Sequence, residues 1–144
     1  MWAALADGWS YHHWVVGTRM IREVDDGFPG RGTALHYRIG RGPLRHDGHT
    51  EVLDVDEGHR LVLEIHAWPV GAVRVDIRLD DDAGDCEVTM EEFPSKGVGG
   101  VLHNPLADGL IKLRNVETLR RLDRLAVDRV RRDAAIPKPA PGQR

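Results

Sequence analysis

The side chains able to do chemistry are spread along this sequence without forming a familiar catalytic signature. Eight histidines occur, with His12 and His13 adjacent and His46-Asp-Gly-His49 in a polar stretch. Neither group completes a Cys/His quartet, and neighbouring histidines in a loop lack the outer partners that fix a metal ligand. No metal site and no cofactor are expected. Gly97-Val-Gly-Gly100 precedes a helical segment, where backbone N–H groups can hold an anion. It matches neither the Walker nor the dinucleotide pattern and reads as a connecting loop. Glu91 and Glu92 are adjacent in a strand-like run and so point to opposite faces. Asp80-Asp81-Asp82 reads as a solvated turn. No Gly-x-Ser-x-Gly elbow is present, and Cys86, the sole cysteine, has no charged helper and reads as a buried, inert thiol.

What remains is a set of residues suited to an apolar pocket. Tyr37 shares a strand face with Leu35 and Ile39, and Asn115 lies among the leucines of the last helix. Trp9, Tyr11, Trp14 and Trp68 can wall such a pocket, each pairing an apolar ring with a hydrogen-bonding tip. Ile65, Val75 and Met90 from strands, and Leu106, Leu110 and Leu113 from the helix, complete the expected ligand cavity.

The elements that position these residues follow from periodicity. Trp2 to Ala6 and Trp9 to Trp14 read as two short helices separated by Asp7-Gly8. Strands follow at Val15–Val24, Thr33–Ile39, Thr50–Val55, Arg60–Trp68, Ala72–Leu79 and Cys86–Phe93, with Gly40–Gly48 as a polar connection. Leu61, Leu63, Ile65 and Ala67 share one face, as do Val73, Val75, Ile77 and Leu79, and likewise Cys86, Val88 and Met90; Glu64 and His66, Arg74, Asp76 and Arg78, and Glu87, Thr89 and Glu91 lie on the other. Such hairpin spacing predicts one antiparallel meander.

A long helix is predicted from Asn104, with Asn as N-cap and Pro105 at the first helical position, to Arg132. Leu106, Leu110, Leu113, Val116, Leu119, Leu122, Ala126 and Val130 recur at steps of three and four and read as one amphipathic stripe. Residues 1–133 form one expected domain, and the proline-rich 134–144 a disordered tail.

Composition narrows the function classes. The net charge is −3, and the arginines between Arg114 and Arg132 are threaded with Glu117, Asp123, Asp128 and Asp133, so a solvated helix face is expected and nucleic-acid binding is not. No apolar run is long enough for a membrane span, and a single cysteine points to a reducing, cytoplasmic setting.

In its layout the chain resembles the SRPBCC superfamily, the helix-grip proteins that include START-like lipid carriers, the major birch-pollen allergen and the polyketide cyclase/dehydrase group. The likeness rests on Trp2-Ala-Ala-Leu-Ala-Asp-Gly-Trp-Ser-Tyr11, Trp14-Val-Val-Gly17, Glu51-Val-Leu-Asp-Val-Asp56 and Arg60-Leu-Val-Leu-Glu64. Val88-Thr-Met90, His103-Asn-Pro-Leu106 and Arg114-Asn-Val-Glu-Thr-Leu119 complete it, so that it spans Trp2 to about Ala126.

The resemblance implies an α+β helix-grip fold: a curved antiparallel sheet of about six strands wrapped around one long C-terminal helix. Members usually open with a strand ahead of the Trp-Ala-x-Leu-Ala-Asp helix, whereas this chain starts inside that helix, so the usual first strand is expected to be missing. The true start is expected upstream of Met1; if Met1 is instead the true start, the bared sheet edge favours aggregation or a homodimer by edge pairing. The implied function is binding or carriage of a hydrophobic small molecule, such as a lipid, polyketide or isoprenoid-like compound. Two alternatives stand beside it. A cyclase/aromatase-type enzyme needs a buried ionisable group at the pocket, and a protein-interaction module needs an exposed apolar patch.

Overall fold

The computed structural model describes residues 1–40, 42–67, 71–82, 84–96 and 105–135. The chain opens with α1 (Trp2–Leu5), a 3-10 turn (Gly8–Ser10) and α2 (Tyr11–Trp14). Six strands follow: β1 (Thr18–Val24), β2 (Ala34–Ile39), β3 (His46–Asp56), β4 (Arg60–Ala67), β5 (Gly71–Asp82) and β6 (Asp85–Lys96). The last element is α3 (Pro105–Ala135). The strands form one sheet in the order β1-β2-β3-β4-β5-β6, and every neighbouring pair is antiparallel. This is the helix-grip architecture expected from the sequence.

The inward face follows the period-two pattern. Leu35, Val52, Leu61, Leu63, Val75, Ile77 and Leu79 are buried, and they join Leu5, Tyr11 and Trp14 from the N-terminal segment and Leu122 and Ala126 from α3 in one core. The N-terminal segment is pinned by local bonds. The Ser10 hydroxyl donates to the Ala4 and Asp7 carbonyls at 3.1 and 2.8 Å, and Arg129 of α3 reaches the Asp7 carboxylate and the Ala3 carbonyl. On the outward face Asp76 is nonetheless buried, because Arg60 closes over it with Nε and Nη2 at 3.0 and 2.6 Å.

Several boundaries differ from the expected ones, each for a local reason. β3 begins at His46 rather than Thr50, so the expected connection is partly strand. Asp47 accepts bonds from Arg22 and Arg38 at 2.6 and 2.8 Å, and Gly48 lies opposite Tyr37. A Cβ at Gly48 would come 2.9 Å from the Tyr37 ring, so glycine here is what lets that ring lie across the neighbouring strand. β1 starts at Thr18 rather than Val15, because Val15 follows α2 directly and Gly17 turns the chain with φ of 100°. β6 runs on past Phe93 to Lys96.

α3 continues to Ala135, three residues past Arg132, so the boundary at 133 falls inside a helix. Residues 136–144, the Gly97–Gly100 loop and the Asn104 cap lie outside the described residues.

The largest correction concerns the phase of α3. Thr118, Leu122 and Ala126 are buried, whereas Leu113 is 69% exposed and Val116 and Val130 also face outward. At about 100° per residue, the nine steps from Leu113 to Leu122 amount to two and a half turns, which puts the two leucines on opposite sides of the helix. The run Leu113, Val116, Leu119, Leu122 advances by threes and therefore winds around the axis instead of holding one face.

Candidate functional site

Between the sheet, α2 and the middle of α3 lies a cavity of about 430 Å³. Its sheet wall comes from Leu35, Ile39, Leu63, Ile65, Val75 and Ile77, and β6 adds Met90. Tyr11, Trp14 and the Val15–Gly17 turn close one side, while Asn115 and Thr118 of α3 close another. The inward row of each strand supplies between one and three residues, and curvature of the sheet keeps α3 from filling the space between them.

The lining is apolar apart from Thr18, Thr118 and one group of polar side chains. Arg114 donates through Nη2 to Glu92 Oε1 at 2.7 Å, and through Nε and Nη2 to Asn115 Oδ1 at 3.2 and 3.1 Å. Tyr37 and Thr50 complete the group. Burial raises the Tyr37 hydroxyl above its ordinary value, while a hydrogen bond with the Thr50 side chain and the positive charge of Arg114 act the other way. Tyr37 therefore stays neutral at physiological pH and offers both a donor and an acceptor.

The α2 wall is held by contacts of its own. Tyr11 donates its hydroxyl to the Leu5 carbonyl at 2.9 Å, and its ring lies 4.5 Å from that of Trp14. Burial, reinforced by the Asp7 carboxylate, pushes the Tyr11 hydroxyl far above its ordinary range, so it remains a donor. Trp14 Nε1 is buried with no hydrogen-bond partner among the described residues.

The structure brings Tyr11, Trp14, Tyr37, Ile65, Val75, Met90 and Asn115 together around this cavity. Two expected residues lie elsewhere. Trp9 is 55% exposed, because the tight 3-10 turn buries its neighbours Gly8 and Ser10 and throws the indole outward. Leu113 faces solvent for the helical-phase reason above. Trp68 lies outside the described residues, as do the side chains of Leu106 and Leu110.

Sequence reading missed Thr50, Glu92, Arg114 and Thr118. Glu92 carried a usable signal, since it stands two residues after Met90 and so shares its face.

A second hollow, about 680 Å³ and more open, lies between Trp9, His12 and His13 and the arginines of α3. Charged side chains dominate its walls, so the less open, apolar cavity is the one suited to an apolar ligand. Among the described residues no group of three or more His, Cys, Asp or Glu stands ready to hold a metal ion. No helix among them is long and apolar enough to cross a membrane.

An antiparallel sheet gripping one long helix over an apolar cavity defines the helix-grip class. Within it the chain belongs to the family described as polyketide cyclase / dehydrase and lipid transport, which it matches over residues 1–127. The crystal structure of Ara h 8.0201 is similar in fold, with a TM-score of 0.66 over 88% of this chain and 86% of that one, at 15% sequence identity. No curated protein matches the sequence.

Proposed function

We propose that this protein binds and carries a small hydrophobic molecule bearing one polar group, without a cofactor. The observation that carries this reading is the cavity itself: a largely apolar hollow of about 430 Å³ with a group of polar side chains gathered around Arg114. A volume of about 430 Å³ lies within the ordinary range of small-molecule sites, which suits a compact lipid, polyketide or isoprenoid compound. Apolar contact supplies affinity, and Tyr37, Asn115 and Arg114 fix the polar end of the guest. Membership of a family described in part by lipid transport supports the same reading. The lone Cys86 fits a reducing, cytoplasmic setting.

Native mass spectrometry of freshly purified protein is expected to show a retained lipophilic compound. Titration with 1-anilinonaphthalene-8-sulfonate is expected to give saturable binding, which Val75→Phe, filling the cavity from the sheet side, weakens at least tenfold. Unchanged probe binding in Val75→Phe with an intact fold refutes the reading.

The cyclase alternative draws on one observation, the Glu92 carboxylate at the cavity wall. Arg114 already engages that carboxylate, which suits a fixed polar anchor better than a mobile proton carrier.

A further inference from the structure

α3 carries a second apolar stripe that the sheet does not use. Leu113, Val116, Val127 and Val130 are 69%, 46%, 40% and 65% exposed. Arg120 and Asp123 continue the same line, and both are exposed with no ion pair among the described residues. The six positions advance by three, four, three, four and three, which is the spacing of a coiled-coil seam. Exposed Gly109 and Ala134 extend it by one step of four at either end and leave room for close approach.

The seam is also complementary to its own reverse. Laid antiparallel against a second α3, with the two-fold axis midway between Arg121 and Leu122, Leu113 meets Val130 of the second copy. Val116 then meets Val127, and Arg120 meets Asp123. Each contact is apolar with apolar or positive with negative, and the two-fold operation repeats it. Beside the seam, Lys112 of one copy lies near Asp133 of the other, again opposite in sign. A helix face serving only to meet water has no reason to place four large apolar side chains in this register.

We propose that α3 pairs antiparallel with α3 of a second copy through this outward seam, giving a two-fold homodimer. The cavity lies on the opposite side of α3, so pairing leaves it open. From residue 113 to 130 the seam spans about 26 Å at 1.5 Å per residue. That is short, and it puts the interface at the small end of specific contacts, below about 1,200 Å², with association in the micromolar range.

Sedimentation velocity from about 1 to 200 µM protein tests this. The wild-type chain is expected to pass from a 16.1 kDa monomer to a dimer across the range. Arg120→Asp and Asp123→Arg, each of which sets like charges face to face, are expected to weaken association at least tenfold. The double variant Arg120→Asp/Asp123→Arg is expected to restore it. All these positions are exposed, and circular dichroism melts that match wild type confirm that folding is not the cause. A wild type that stays monomeric throughout overturns the proposal. So does a dimer indifferent to Arg120→Asp, as pairing through the β6 edge would be, or a double variant that fails to recover.

Discussion

Replacing Leu122 and Leu113 separately by alanine tests how α3 is seated, because the same chemical change is made on opposite faces of one helix. Leu122 is 1% exposed within the core that includes Leu5, Tyr11 and Trp14. Its truncation removes the equivalent of three methylenes, about 2.4 kcal/mol at 0.8 kcal/mol each, and the residual void brings the loss to about 3 kcal/mol. With an unfolding entropy of about 2.1 cal/mol/K per residue, this chain has about 0.3 kcal/mol/K, so Tm is expected to fall by about 10 °C. Leu113→Ala, at a largely exposed position, is expected to change stability by no more than about 0.5 kcal/mol, or about 2 °C. Circular dichroism melts at about 1 µM protein, where a micromolar dimer is dissociated, compare them directly. Equal shifts, or a larger one for Leu113→Ala, would refute the assigned phase of α3.

Three further outcomes follow from individual side chains. Trp14→Phe removes an indole N–H with no acceptor among the described residues, so it is expected to stay within about 1 kcal/mol of wild type, whereas Trp14→Ala costs about 3–5 kcal/mol; thermal melts separate the two. Asp76 is held below its ordinary value chiefly by its hydrogen bonds to Arg60. Its contribution to stability is therefore full above the usual carboxylate range and lost as pH falls through the lower folded value, and Asp76→Asn is expected to flatten that acid limb in denaturant titrations. His49 is held below its ordinary value by burial and by the neighbouring His66 and His36. The unfolded chain then binds the proton more readily, so stability is full above the ordinary histidine range and declines below it, and His49→Gln is expected to reduce the loss between pH 7 and 5.

Much of the sheet was legible because period two is a local property. Val73, Val75, Ile77 and Leu79 announce their common face whatever lies beside them, and the register of β4 with β5 then brings Leu63 opposite Val75 and Leu61 opposite Ile77. The length of α3 was legible for a similar reason, since a sustained three-four spacing marks a helix before its neighbours are known. The start of β3 was not, because Asp47 and Gly48 are poor strand formers taken alone and are carried into the ladder by Arg38 and by the Tyr37 ring.

The candidate site divides along the same line. Residue pattern is enough to require that one apolar sheet face and one long helix meet, and so that Tyr37, Ile65, Val75 and Met90 point toward that helix. Which side of α3 answers them depends on how the helix packs. Apolar residues occur on two of its faces, and their spacing says nothing about which face the sheet selects. The same holds for His36, His49 and His66, far apart in the chain, which strand register places in one outward row with the rings of His49 and His66 stacked 4.4 Å apart. Local pattern fixes which direction a side chain points along its own element, whereas what it meets there depends on how distant segments are aligned, and that is settled by packing over the whole fold.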